Sequence, residues 1–187
     1  MRLGWFVFLN CCLVWQMSVA ELVYKINKIE CQANKARVRD VSCRVKAINW
    51  NMAVVNMDCL LILPVVSPVV RLQVFLKDYS NQYKPFLIDV TFKLCEVVNR
   101  KNFIPYGVIF WNILKRFTTI NESCRLSGHL SAKNGYLDAS YLPPFPHGIY
   151  QFSFMFSDKN FTSTDILGNV KLFIESMDRI KSKKFRD

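Results

Sequence analysis

The run VVRLQVFLKDYSNQYKPFLIDVTFKL, Val69 to Leu94, decides the fold of this 187-residue chain. In its first half Val70, Leu72, Val74 and Leu76 alternate with Arg71, Gln73 and Lys77. In its second half Phe86, Ile88, Val90, Phe92 and Leu94 alternate with Asp89, Thr91 and Lys93. Side chains of an extended strand point to opposite faces in turn, so a period of two marks a strand with one greasy face. Asp78-Tyr79-Ser80-Asn81-Gln82 between the halves is turn-forming and of hairpin length. Two antiparallel strands burying one face are therefore expected here.

The same period recurs on both sides. Leu22–Cys31 places Tyr24 and Ile26 on one face, and Ser42–Asn49 sets Cys43, Val45 and Ala47 against Ser42, Arg44 and Lys46. A strand is expected from Met52 to Leu63, stopping at Pro64. Late in the chain Tyr150, Phe152, Phe154 and Phe156 share a face, and Val170, Leu172 and Ile174 alternate with Lys171 and Glu175. A shorter strand is expected near Tyr136–Tyr141, set off by Pro143, Pro144, Pro146 and Gly148. Between Cys95 and Cys124 the period changes: Ile109, Ile113 and Phe117 recur at helical spacing, with Phe110 and Leu114 beside them. Pro105 and Gly107 bar one continuous helix, leaving one or two short ones. Seven or eight strands with a helical crossover read as a mainly β, two-sheet antiparallel sandwich.

Residues 1–20 are set apart from that fold. Met1-Arg2, an apolar run from Leu3 to Val14, and Ser18-Val19-Ala20 have the order of a signal peptide cleaved after Ala20. The run is shorter than the roughly 20 apolar residues of a spanning helix. A secreted chain with one domain over 21–176 and a basic tail over 177–187 is expected. Export leaves Cys31, Cys43, Cys59, Cys95 and Cys124, an odd number for an oxidising compartment. The absence of a Cys-x-x-Cys and the presence of two histidines disfavour zinc. Asn121-Glu122-Ser123 and Asn160-Phe161-Thr162 are glycosylation sequons. The net charge of +11 is spread along the chain apart from Arg179, Lys181, Lys183, Lys184 and Arg186. That cluster reads as a solvated terminus, with attraction to an anionic membrane or acidic glycan as the sharper alternative; no nucleic-acid partner is expected.

Several landmarks occur in a recognisable order. Cys31 and Cys43 stand twelve residues apart, and Lys84-Pro85-Phe86-Leu87 leads through Asp89-Val90-Thr91 to Cys95. The Phe103–Phe117 helical stretch, Asn121-Glu122-Ser123-Cys124 and Leu142-Pro143-Pro144-Phe145-Pro146-His147-Gly148-Ile149-Tyr150 follow. With these, nearly all of the mature chain resembles the secreted insect family called domain of unknown function 1091. That family includes chemosensory CheB-type proteins and is similar to the ML lipid-recognition fold. The resemblance implies an immunoglobulin-like sandwich whose sheets can open around an apolar ligand. This chain departs from the pattern at Arg125, where the family usually has proline, and at Asp89, where relatives often carry a sequon asparagine. Cys59 has no family counterpart that can be placed.

Four of the cysteines allow three pairings; Cys31–Cys43 with Cys95–Cys124 is the expected one, and a Cys31–Cys124 bridge would refute it. Cys59, among Met57, Leu60 and Leu61, is read as a buried thiol, with intermolecular pairing as the alternative. His129 and His147 stand in no nucleophile motif, and the acidic residues form no obvious catalytic pair, so no enzyme, catalytic residue, metal or cofactor is expected. The aromatics carry the functional reading. Phe86, Phe92, Tyr150, Phe152, Phe154 and Phe156 would face inward, with Phe110 and Trp111 of the helical segment near them. Each can be ordinary core, or wall of a pocket for a lipid or other small hydrophobic ligand. A non-enzymatic carrier, with a chemosensory role and a cell-surface receptor implied by the resemblance, is the first expectation. A protein-interaction module with a closed core is the second.

Overall fold

A computed structural model of the chain describes residues 21–99, 104–120, 124–160 and 163–179. The signal segment, Phe103, the Asn121 sequon and the chain from Ile180 onward lie outside the described residues, as do Phe161 and Thr162 of the second sequon. The elements are β1 (Leu22–Ala33), β2 (Val38–Asn49), β3 (Met52–Val65), β4 (Pro68–Lys77), β5 (Tyr83–Lys93), α1 (Leu94–Val98), α2 (Pro105–Phe117), β6 (Leu126–Gly135), β7 (Gly148–Asn160) and β8 (Ser163–Asp178). The five-stranded sheet has the order β1-β8-β7-β4-β5, and the three-stranded sheet the order β2-β3-β6. All neighbours are antiparallel. The protein is a mainly β, two-sheet sandwich.

The decisive run forms the β4–β5 hairpin as its alternation requires. Val70, Leu72 and Val74 are buried on β4, and Ile88 and Phe92 on β5. Asp78 organises the turn, its carboxylate accepting from the backbone N–H groups of Ser80 and Gln82 and pairing with Lys84. The hairpin also contains one irregularity. The register slips between Gln73↔Asp89 and Phe75↔Pro85, and Leu87 in that bulge takes a φ of 53° with its side chain in solvent. A bulge carries an unpaired residue in a local kink, and here Leu87 is that residue.

Two strands differ from the sequence reading. The expected strand at Tyr136–Tyr141 is replaced by turns: Asp138 accepts from the Ser140 N–H through its side chain and from the Tyr141 N–H through its carbonyl. Such local bonds compete with a ladder. The strand lies just before it, as β6. Its Ser127, Gly128, His129, Lys133, Asn134 and Gly135 have little intrinsic strand preference, so pairing with β3 decides its conformation. Pro64 does not end β3, which continues to Val65; the proline sits in a bulge where its missing N–H interrupts no ladder bond. The last strand runs to Asp178.

Disulfides join the two sheets at two places. Cys31 of β1 pairs with Cys43 of β2, linking the neighbouring edge strands of opposite sheets. Cys95 of α1, directly after edge strand β5, pairs with Cys124 just before edge strand β6. Each bridge shortens the unfolded chain's freedom and typically contributes about 2–4 kcal/mol.

Candidate functional site

One half of the sandwich interior is mostly filled by aromatic side chains. Tyr150 is almost wholly inaccessible and packs 5.2 Å from Phe145 and 5.5 Å from Phe86, ring centre to ring centre. Phe145 also meets Phe152 edge-on at 5.7 Å. The proline-rich lead-in to β7 is pinned by hydrogen bonds. The Tyr24 hydroxyl donates to the Pro143 carbonyl (2.7 Å) and accepts from the Phe145 N–H (2.9 Å), and the Tyr150 hydroxyl donates to the Pro146 carbonyl (2.9 Å). Both phenols are pushed above their ordinary range, by burial first. Buried hydroxyls normally carry partners, and these do.

The other half is hollow. A cavity of about 190 Å³ lies between the sheets, with almost entirely apolar walls. The five-stranded sheet contributes Val70, Phe156, Leu167 and Val170; the other sheet contributes Val38, Leu61, Leu126 and Leu130. Both cysteines of the β1–β2 bridge lie on its wall, and Leu114 of α2 reaches it from the side. Val41 lines the cavity and is 40% exposed, so the space meets solvent beside β2. Polar wall residues such as Gln32 and Asp58 also reach the surface.

Two backbone irregularities lie on the strands of this half. On β2, Asp40 and Val41 together oppose Cys59 of β3, and Asp40 adopts a φ of 52°. On the other side of β3, Ile62, Leu63 and Pro64 together oppose Ser127 of β6. Bulges bend and twist a strand. Two of them flank the Cys59–Leu61 segment, one on each ladder, where the three-stranded sheet faces the cavity. Beyond the cavity, Arg37 of the β1–β2 connection pairs with Asp165 and lies 3.7 Å from Asp158, whose carboxylate also accepts from the Ser67 N–H at 2.9 Å. These bonds tie four segments together at the hollow end.

Cys59 forms no disulfide and faces this cavity. Burial, then the neighbouring Asp58 carboxylate, push its thiol up. A free thiol in an apolar wall behaves as a small hydrophobe.

The aromatics singled out from sequence divide among four places. Phe156 lines the large cavity. Phe110, Phe152 and Phe154 line a second, smaller cavity of about 40 Å³ beneath α2 and the 137–145 segment. Phe86 and Tyr150 belong to the filled core, while Phe92 and Trp111 pack in the cluster around α1 and α2. The aliphatic wall on β2, β3 and β6 has one distinguishing mark in the sequence, the odd cysteine Cys59 among apolar residues. His129 and His147 are exposed, beside Asp58 and Asp178 respectively. Asn121 lies outside the described residues, and Asn160 is the last residue of β7. No helix among the described residues is long and apolar enough to cross a membrane.

Together these features define a disulfide-stapled two-sheet sandwich with an apolar hollow between its sheets. Residues 70–152 match the family model described as protein of unknown function (DUF1091), which supports the resemblance to that family. The matched stretch runs from β4 into β7 and so includes α2 and most of the wall of the small cavity, but only a minor part of the wall of the large one. No curated protein matches the chain.

Proposed function

We propose that this chain is a secreted, non-enzymatic binding protein that holds a small, uncharged apolar ligand between its sheets. The observation that carries the proposal is the solvent-reaching cavity whose walls are almost entirely apolar. Its volume of about 190 Å³ exceeds the roughly 150 Å³ of an apolar cavity that takes up benzene, and lies below the roughly 300–1,000 Å³ of drug-sized sites. A single ring, a short hydrocarbon or one end of a longer chain fits that space. An ionised head buried there would lose its hydration without a partner, so a neutral ligand or one whose head stays at the rim is favoured. The two disulfides suit an oxidising, extracellular setting. Binding a lipid-like cue in chemosensation is the narrower form of this proposal; it follows from the family resemblance, and expression mapping to taste or smell organs tests it.

Cys59 supplies an internal reporter. Octanol is expected to slow its labelling by a thiol reagent at least about tenfold, in the manner of ligand-linked protection. Native mass spectrometry of secreted protein should show a bound neutral lipid. Unchanged labelling together with a ligand-free mass would overturn the proposal. A protein-interaction module is the competing reading, favoured by Trp50 and Ile48, both exposed near the β2–β3 turn. Under that reading Trp50→Ala abolishes partner capture and leaves Cys59 labelling indifferent to octanol.

A further inference from the structure

The two cavities lie in line on one face of the five-stranded sheet. On β4, Val70 faces the large cavity and Leu72, the next inward residue, faces the small one. Phe156 and Phe154 divide in the same way on β7, and Val170 and Leu172 on β8. Val70 pairs with Phe156, and Leu72 with Phe154, which in turn pairs with Val170. The boundary therefore follows the Leu72–Phe154–Val170 row, and the chambers are separated by about one inward-residue repeat, roughly 7 Å along a strand.

One side chain from outside the sheet stands on that boundary. Phe110 of α2 stacks on Phe154 at 5.3 Å, lies 6.3 Å from Phe156, and meets Phe92 at 5.7 Å. The same helix borders both spaces, with Leu114 on the large cavity and Phe110 and Ile113 on the small one. No hydrogen bond is needed to hold an aromatic ring there, and its removal would leave apolar wall on either side. We propose that Phe110 is a partition that sets ligand length: it stops a chain entering from the solvent-reaching cavity from running on beneath α2. This deepens the binding reading above and rests on it.

The test is a chain-length series of neutral primary alcohols, from hexanol to hexadecanol, competing with a neutral fluorescent probe. For the native protein, affinity is expected to rise about fourfold per buried methylene and then level off where the chain meets Phe110. Phe110→Ala should move that break to longer chains, with hexadecanol gaining at least about tenfold over the native protein. Phe110→Leu, which keeps most of the packing, covers the case in which the alanine variant does not fold. Adding Ile113→Phe to Phe110→Leu fills the small cavity and should return the break to its native position. A break at the same length in a folded Phe110 variant, or no break in the native series, overturns the partition while leaving the binding reading intact. No binding of any alcohol by the native protein overturns the binding reading itself.

Discussion

The filled and hollow halves of the sandwich share strands but not side-chain types. Around Tyr24, Phe86, Phe145, Tyr150 and Phe152 the interior is aromatic, ordered by ring contacts and three phenolic hydrogen bonds. Around Val38, Leu61, Val65 and Leu167 it is aliphatic, bounded by two bulges and a disulfide. Interiors pack to nearly crystalline density unless the backbone holds the walls apart. The covalent link and the Arg37 ion pairs tie the hollow end together.

The largest expected effect tests the filled half. Phe145→Ala removes a buried ring that meets Tyr24, Phe86, Tyr150 and Phe152, and should cost about 3–5 kcal/mol in urea unfolding under non-reducing conditions. A loss below about 1 kcal/mol would mean that this half is no better packed than the other. The opposite substitution addresses the hollow half. Leu130 faces the cavity and pairs with Cys59. Leu130→Phe should fill space without strain, raise stability by up to about 1 kcal/mol, and abolish octanol protection of the Cys59 thiol. A variant destabilised by roughly 1–3 kcal/mol would show the space to be filled already in solution, because that is what overpacking of a full core costs.

The smallest effect is expected at alkaline pH. Tyr24 and Tyr150 have raised pKa values in the folded chain because burial disfavours the phenolate. Their neutral forms favour the fold, so the contribution is complete below the unfolded tyrosine pKa of about 10 and is lost as pH rises through the folded values. In an ultraviolet tyrosinate titration these two, like Tyr83, which burial also raises, should ionise late, and Tyr24→Phe with Tyr150→Phe should remove part of the late curve. Early titration of all tyrosines would place both rings in solvent.

Alternation along β4, β5 and β7 is visible in any linear reading, because side-chain direction in a strand depends on parity alone. For the same reason the inward set Tyr150, Phe152, Phe154 and Phe156 could be named before any strand was paired. Strand β6 was not visible, since Ser127, Gly128 and His129 become strand only through β3. The turns at Asp138 were mistaken for strand because their tyrosines and leucines resemble strand composition, while the deciding bonds are local and polar. The cavity wall was equally hidden: Val38, Leu61, Leu126 and Leu130 look like ordinary core until two separate sheets bring them together.

The amino-acid order by itself determined the repeating in-and-out pattern, the helical break after Cys95 and the chemistry available to an interior built from these residues. Those properties depend on neighbours one to four positions away. Only the tertiary structure decided which sheet each strand joins, that each disulfide ties segments at the edge strands of opposite sheets, and that the larger hollow lies among mainly aliphatic side chains. Such features depend on bulge register and on contacts between residues far apart in the chain, which no local period encodes.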